Sequence, residues 1–448
     1  MIAKSTATAL RLGNSPIHWD WTRLNAGGVL LESEIKELEK EFALSWEKLR
    51  SRFLSGEVGF YHAPTEPELN QAKESIQLAN ELLEKHHFTD ALFLGIGGSS
   101  LGPIALLSAL REKAHDQVRI HYLENPDPIE WKMTLKRLNP ESTLVVPVTK
   151  SGSTFETIAQ FLLALDWLGK DRWKSNVVCL TDPEKGDLLQ FAKKNDLRCL
   201  KIHPSLGGRF SIFSPVGLFP AALCGLNVEA FLKGASDVRD FNEKVSLDRN
   251  PFFQIGSELI RQFEERPIHI CMPYSTPLRA MGSWFVQLWG ESLGKDEKGF
   301  TPLSALGATD QHSILQLMRD GPDDKITWFL KVDQVSDPVT IPEALPGGAG
   351  ATPSSFTQLQ GHSLHRLLNV EADAIAQVLT KRERPHLIVT LDQLDEAAMG
   401  SLCFSWALLT AVTGTLWGVD PFDQPGVEEG KIYIRESLAR LRNESRSR

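Results

Sequence analysis

The chain has 448 residues, more than a single hydrophobic core usually organises, so two domains with terminal extensions are expected. With 42% hydrophobic and 23% charged residues it has a globular composition, and its net charge of −9 argues against nonspecific nucleic-acid binding, which needs a broad basic surface. A small anionic ligand is compatible with that charge only at a locally positive site. The five cysteines, Cys179, Cys199, Cys224, Cys271 and Cys403, are odd in number, scattered and free of CxxC spacing. That disfavours a disulfide framework or a thiolate metal site and suits buried thiols in a reducing compartment.

In chain order, the opening MIAKSTATALRLGNSP lacks the continuous apolar core of a signal peptide, and a cytosolic protein is expected. From residue 91, short apolar runs alternate with amphipathic stretches: ALFLGIG, then 104–115, VRIHYL, 127–138, TLVVPVT, 155–168, NVVCLT and 183–194. Continuous Val/Ile/Leu strands separated by helices predict a parallel sheet covered on both faces, with its ligand site beyond the strand carboxyl ends. The alternation weakens at 237–250, a polar segment suited to linking two domains. A second set follows, with helices at 252–265 and 276–290, strands at IHICMP, ITWFLKV and HLIVTL, and a long helix after Asp395. Residues 338–355 read as a surface loop and 426–441 as a C-terminal helix. The uncharged stretch 397–419 is long enough to span a bilayer, but six hydroxyl and glycine residues dilute it. It reads as a core helix, with a membrane span as the alternative.

Several short segments carry chemistry. Gly95-Ile96-Gly97-Gly98-Ser99-Ser100-Leu101-Gly102 follows an apolar strand and opens a helix, where glycines let backbone N–H groups approach an anion. It differs in spacing from a dinucleotide fingerprint, and a tight turn without a ligand is an equal reading. Thr149-Lys150-Ser151-Gly152-Ser153-Thr154 ends the next apolar strand and crowds side-chain donors at a helix start, a composition suited to phosphate oxygens; one hydroxyl would suffice for a plain N-cap. Gly207-Gly208-Arg209-Phe210-Ser211 could aim a guanidinium at developing negative charge, although on its own an exposed turn arginine is the better reading. In Gln287-Leu288-Trp289-Gly290-Glu291-Ser292-Leu293-Gly294-Lys295, a carboxylate set against Trp289 and Leu293 would be desolvated and its pKa raised toward that of a general base, although a lone glutamate is usually a solvated surface group. Gly307–Ser313 offers His312, and Asp423–Lys431 offers Lys431, both able to exchange protons with a sugar oxygen, although each is equally explained as a polar residue at a helix start. His86 and His87, in a charged stretch, look exposed.

Taken in this order, GGRFS, Q-x-x-x-E-S-x-G-K, G-x-x-x-QHS and DQ-x-GVE-x-GK resemble the glucose-6-phosphate isomerase (phosphoglucose isomerase) family of bacterial length, from about Phe60 onward. The resemblance departs from the family's common residues at Leu293 and Pro425. It implies an α/β protein with two sugar-isomerase (SIS) type, flavodoxin-like, doubly wound parallel-sheet domains and a C-terminal helical extension. The expected pieces are an N-terminal arm (1–60), a first domain with the phosphate loop (61–237), a second domain (238–395) and C-terminal helices returning to the site (396–448). It further implies no metal or nucleotide cofactor, and a homodimer whose active sites are shared between subunits. By residue, it assigns Gly98 and Ser99 to a sugar-binding loop and Thr149, Lys150, Ser151 and Thr154 to a phosphate loop. It assigns Arg209 to enediolate stabilisation, Glu291 to the base, Gln287 and Gln424 to substrate contacts, Lys431 to a position near the sugar, and His312 to ring opening in the neighbouring subunit's site. The implied reaction interconverts an aldose and a ketose phosphate in glycolysis and gluconeogenesis. The alternatives are an isomerase that also accepts mannose 6-phosphate, and a catalytically silent sugar-phosphate sensor.

Overall fold

The structure is a computed structural model that describes residues 9–25, 32–86, 88–115, 117–344 and 353–446. Eleven strands among them form two sheets. The first contains β3 (Asp90–Leu94), β4 (Arg119–Leu123), β5 (Thr143–Thr149), β6 (Val178–Thr181) and β7 (Arg198–Lys201), all parallel, in the order β4-β3-β5-β6-β7. The second contains β8 (Ile268–Pro273), β9 (Thr301–Ser304), β10 (Lys325–Gln334) and β11 (His386–Gln393), parallel in the order β9-β8-β10-β11. It is extended antiparallel by β2 (Ile17–Asp20) and β1 (Ala9–Arg11). The residues near the start of the chain thus close the far edge of the second sheet, with Ile388 opposite Asp20 and Leu391 opposite Ile17.

Both sheets share one winding order, in which the second strand lies to one side of the first and the later strands to the other. The direction of winding reverses between β3 and β5 and between β8 and β10, and such a reversal opens a crevice at the strand carboxyl ends. Strand alternation separates the faces: Ala91 and Phe93 of β3 point into the core shared by the two sheets, while Leu92 and Leu94 point outward to Phe161, Ala164 and Leu188. The outer face of the second sheet, with Ile270, Met272 and Phe329, is covered by Ala372, Ile375 and Leu379 of the helix Leu364–Lys381. Pro147 lacks an N–H to donate, and the β5–β6 ladder is interrupted around it, pairing Val145 with Val177 and resuming at Val148 with Leu180.

The helix Glu396–Leu416 starts at Asp395, whose carboxylate accepts from the Ala398 N–H at 2.8 Å, and is enclosed by the helices Glu32–Leu54, Val228–Lys244, Pro251–Arg261 and Arg279–Leu293. Its most apolar 18-residue window is 94% buried, and the Ser405 and Thr410 hydroxyls donate to carbonyls one turn back. This agrees with the core-helix reading. Residues 237–250, expected as a linker, instead continue the helix Val228–Lys244, capped by Asn227, and end in a 3-10 turn. Of the expected loop 338–355, residues 345–352 lie outside the described residues. His87 does too, whereas His86 is half-buried, stacked on Phe88 with a centroid distance of 5.5 Å; burial and Arg198 lower its pKa.

Candidate active site

Two of the expected loops lie at the crevice beyond β3 and β5. After β3 the chain turns through a 3-10 segment, Gly97–Ser99, into the helix Leu101–Ala109. A Cβ on Gly98 would stand 2.3 Å from the Gly208 carbonyl carbon, and Ser211 Oγ donates to the Gly98 carbonyl at 2.9 Å. The glycine therefore lets the GGSS and GGRF loops touch backbone to backbone. Ser100 Oγ donates to Glu124 Oε1 at 2.5 Å, fixing the turn to the end of β4.

After β5, the hydroxyls of Thr149, Ser151 and Thr154 converge: Thr149 and Thr154 lie 2.8 Å apart, and Ser151 is 3.3 Å from each. Thr154 is the N-cap of the helix Phe155–Leu168, yet its side chain makes no capping hydrogen bond. These hydroxyls, with the helix N–H groups behind them, form a cradle suited to phosphate. Gly152, at φ +72, permits the turn, since a Cβ there would meet Gly186 Cα at 2.7 Å. Lys150 departs from the expectation. Its ammonium donates to the carbonyls of Pro204 at 2.6 Å and Leu206 at 2.7 Å, and burial lowers its pKa. It braces the segment leading into Gly207-Gly208-Arg209 and does not join the hydroxyl cluster.

Arg209 is the centre of the cluster and is 1% exposed. Nε donates to Ser292 Oγ at 2.6 Å, and Nη2 donates to the carbonyls of Pro421 at 2.6 Å and Asp423 at 2.8 Å. Nη1 donates to Gln424 Oε1 at 2.8 Å and faces Glu291 Oε2 at 3.4 Å. Burial pushes the guanidinium below its ordinary range, with the Glu291 charge opposing. Glu291 lies near the end of the helix Arg279–Leu293. Trp289 and Leu293, expected beside it, are buried in the core, where Trp289 Nε1 donates to His269 Nδ1 at 3.1 Å. Residues two apart on a helix do not share a face, so the Glu291 side chain, 32% exposed, points instead into the crevice toward Arg209. Gln287, one turn earlier, brings Nε2 to 3.5 Å from Glu291 Oε1, while its own Oε1 is buried without a hydrogen-bond partner.

Gln424 reaches Arg209 from the segment after the central helix. The C-terminal helix, Glu428–Arg446, begins four residues later and carries Lys431 in its first turn. Arg435, on the same face one turn on, places its guanidinium 5.9 Å above the Phe155 ring, beside the hydroxyl loop. His312 is not brought to this cluster. It ends the 3-10 turn Thr309–His312 and is exposed, and no hydrogen bond or ion pair among the described residues links it to Arg209, Glu291 or the hydroxyls.

A buried arginine over a carboxylate, beside a hydroxyl cradle, can bind an anion and hold a base next to it. The sequence profile described as "Phosphoglucose isomerase" matches residues 83–447. The chain belongs to this family. Curated relatives include the glucose-6-phosphate isomerases of Rubrobacter xylanophilus, 39% identical with 93% of this chain and 96% of that protein covered, and of Thermus thermophilus, 37% identical with 88% and 94% covered. Among solved structures, a hypothetical protein of Thermus thermophilus superposes with a TM-score of 0.82 at 35% identity, covering 90% of this chain and 97% of that one. A glucose-6-phosphate isomerase of Chlamydia trachomatis superposes at 0.80 with 21% identity, covering 97% and 90%, a likeness of fold. The tagatose-6-phosphate ketose/aldose isomerase of Escherichia coli, at 0.50 and 14% with 84% and 94% covered, shares the parallel α/β architecture.

The Ser292 hydroxyl, Lys150's bracing of the GGRF loop and the two carbonyls on Arg209 Nη2 were not identified by sequence reasoning. Ser292 and Lys150 stand inside the quoted motifs, but the Pro421 and Asp423 carbonyls are backbone atoms over two hundred residues away and leave no trace in residue type.

Proposed function

We propose that this chain interconverts glucose 6-phosphate and fructose 6-phosphate, a step of glycolysis and gluconeogenesis, by moving one proton between C2 and C1 through a cis-enediolate. The observation that carries the reading is the Arg209–Glu291–Gln424 cluster beside the Thr149–Ser151–Thr154 hydroxyls. In this reading the hydroxyls and the helix start hold the phosphate, while Gly98, Ser99 and Gln287 contact the sugar. Glu291 removes the C2 proton of the open-chain aldose and returns it to C1. All five Arg209 N–H groups are engaged: Nε meets the buried Ser292 hydroxyl, Nη2 meets backbone carbonyls, and Nη1 meets the side chains of Gln424 and Glu291, so an enediolate oxygen reaches the guanidinium at Nη1 by displacing one of those two. Lys431 and the partner subunit's His312 shuttle the ring-opening proton in a cytosolic homodimer.

Membership of the family supports the reaction, and the geometry supports the roles. The test is turnover of fructose 6-phosphate by the purified chain, with mannose 6-phosphate assayed alongside. Binding of fructose 6-phosphate without turnover would replace the enzyme by a sugar-phosphate sensor.

A further inference from the structure

Residues 419–424 form a strap that leaves the central helix and delivers Gln424 to Arg209. Its apolar anchors are Pro421, which is buried, and Phe422, whose ring centroid lies 5.8 Å from that of Phe210 under the Arg52 guanidinium. The ammonium of Lys295 adds a polar anchor to these and to the bonds from Arg209. It donates to the Asp420 carbonyl, to the Ser292 carbonyl at 3.1 Å and to Asp423 Oδ1 at 2.8 Å, using all three of its N–H groups, and its side chain is 11% exposed. Ser292 follows Glu291 directly and receives Arg209 Nε on its hydroxyl. One cation therefore ties the end of the Glu291 helix to the strap.

The turn that presents Lys295 adds a second observation. Lys295 and Lys298 bond backbone to backbone across Asp296 and Glu297, which sit at φ 53 and φ 59, the left-handed region that side-chain-bearing residues rarely occupy. Two such residues in succession persist only where the surroundings over-determine them. Both lysines are spent on the same neighbourhood, since Lys298 Nζ donates to the Trp417 carbonyl at 2.9 Å, at the end of the central helix. Asp420 is held as an anion on its other side: burial works to raise its carboxyl, but the Phe422 N–H, Arg52 and Lys295 bring it below the usual range.

We propose that Lys295 is a positioning residue for the isomerisation, clamping the Asp420–Asp423 strap to the end of the Glu291 helix so that Gln424 and Arg209 stay in register with the Glu291 carboxylate. The inference rests on the site assignment above. It makes Lys295 act on turnover through Arg209 and not on phosphate affinity, because the hydroxyl loop is held by separate contacts.

The experiment compares the parent with Lys295→Met and Lys295→Arg in steady-state kinetics on fructose 6-phosphate, and follows hydrogen exchange of residues 417–427 without sugar. Lys295→Met should lower kcat about tenfold with KM changed less than about twofold, and speed exchange of the strap. Lys295→Arg should recover part of kcat. In an Arg209→Lys background, Lys295→Met should cost less than about twofold more, since both act through one contact set. Unchanged strap exchange, or a kcat within twofold of the parent despite faster exchange, overturns the proposal, as does full additivity with Arg209→Lys. If Lys295→Met does not fold, Asp423→Asn, on the exposed end of the same ion pair, should give a smaller fall in kcat with the same KM pattern, and no fall overturns it. A failed site assignment is distinguishable, because Glu291→Gln would then also keep full turnover.

Discussion

At Glu291 the balance between binding and chemistry is set by one neighbour. Its carboxylate sits 3.4 Å from a guanidinium that is almost wholly buried, so the ion pair is short of water on the arginine side and open on the carboxylate side. Replacing the carboxylate by an amide keeps the shape and the contact to Gln287 but removes the proton acceptor. Glu291→Gln should therefore lower kcat about a hundredfold or more while KM for fructose 6-phosphate changes little, and near-parental turnover would remove Glu291 from the base role. The two ends of the β5 loop separate in the same assay. Thr154→Val removes a cradle hydroxyl and should raise KM about tenfold with a smaller effect on kcat, accompanied by weaker inhibition by inorganic phosphate, because phosphate binding is largely uniform between ground and transition states. Lys150→Ala leaves the hydroxyls in place but frees the Pro204 and Leu206 carbonyls in front of Arg209, so it should lower kcat more than it raises KM. A pure KM effect in Lys150→Ala would return its ammonium to the phosphate.

Strand β8 carries a buried histidine that the chemistry does not use. His269 is enclosed by Trp289, Trp328 and Phe300, the last stacked at 4.1 Å, and burial lowers its pKa from 6.5 to about 3. The folded state thus holds it neutral while the unfolded chain protonates near 6.5. The stability this contributes is complete above that value and is lost as pH falls from about 6.5 toward about 3. Between pH 7 and 4.5 the parent should lose about 2 to 3 kcal/mol more than His269→Gln in urea unfolding, and equal losses would show that His269 does not titrate between the states. Elements of this kind were legible in the sequence where they are long or fully buried: IHICMP and TLVVPVT stand out as mostly apolar runs, and the helix 155–168 as a longer stretch in which apolar residues predominate. The short strands β1, β7 and β9 did not, since ALR, RCLK and TPLS owe their extended form to pairing with distant strands rather than to their own pattern. The polar outer face of Val228–Lys244 made its last turns look like a linker. At the site, the two loops beyond β3 and β5 were legible because glycine and hydroxyl residues cluster locally. The web around Arg209 was not, because it joins segments from three parts of the chain.

At the scale of the whole molecule, the cluster lacks one of the proton carriers that the family resemblance implies, and the surface offers it elsewhere. The turn bearing His312 is firmly built: Asp310 accepts from the Leu306 N–H at 2.7 Å and from Ser313 Oγ at 2.9 Å, and Gln311 Nε2 donates to the Tyr274 hydroxyl at 2.8 Å. Yet the imidazole faces outward. The C-terminal helix likewise leaves Ile434, Leu438 and Leu441, spaced as one helical stripe, exposed along the face that carries Lys431. A rigidly held, solvent-facing histidine and an uncovered apolar stripe suit a two-fold dimer in which each site takes Glu291 from one subunit and His312 from the other. Glu291→Ala and His312→Ala prepared separately should each give dimers with two defective sites. Refolded together, they form mixed dimers in which one site collects both lesions and the other combines an intact Glu291 with an intact His312. Random pairing makes about half of the dimers mixed, each with one good site of two, so the mixture should recover roughly one quarter of parental turnover. Mixed dimers verified by mass spectrometry with no turnover above that of the separate variants would place His312 within its own subunit's site or outside the reaction.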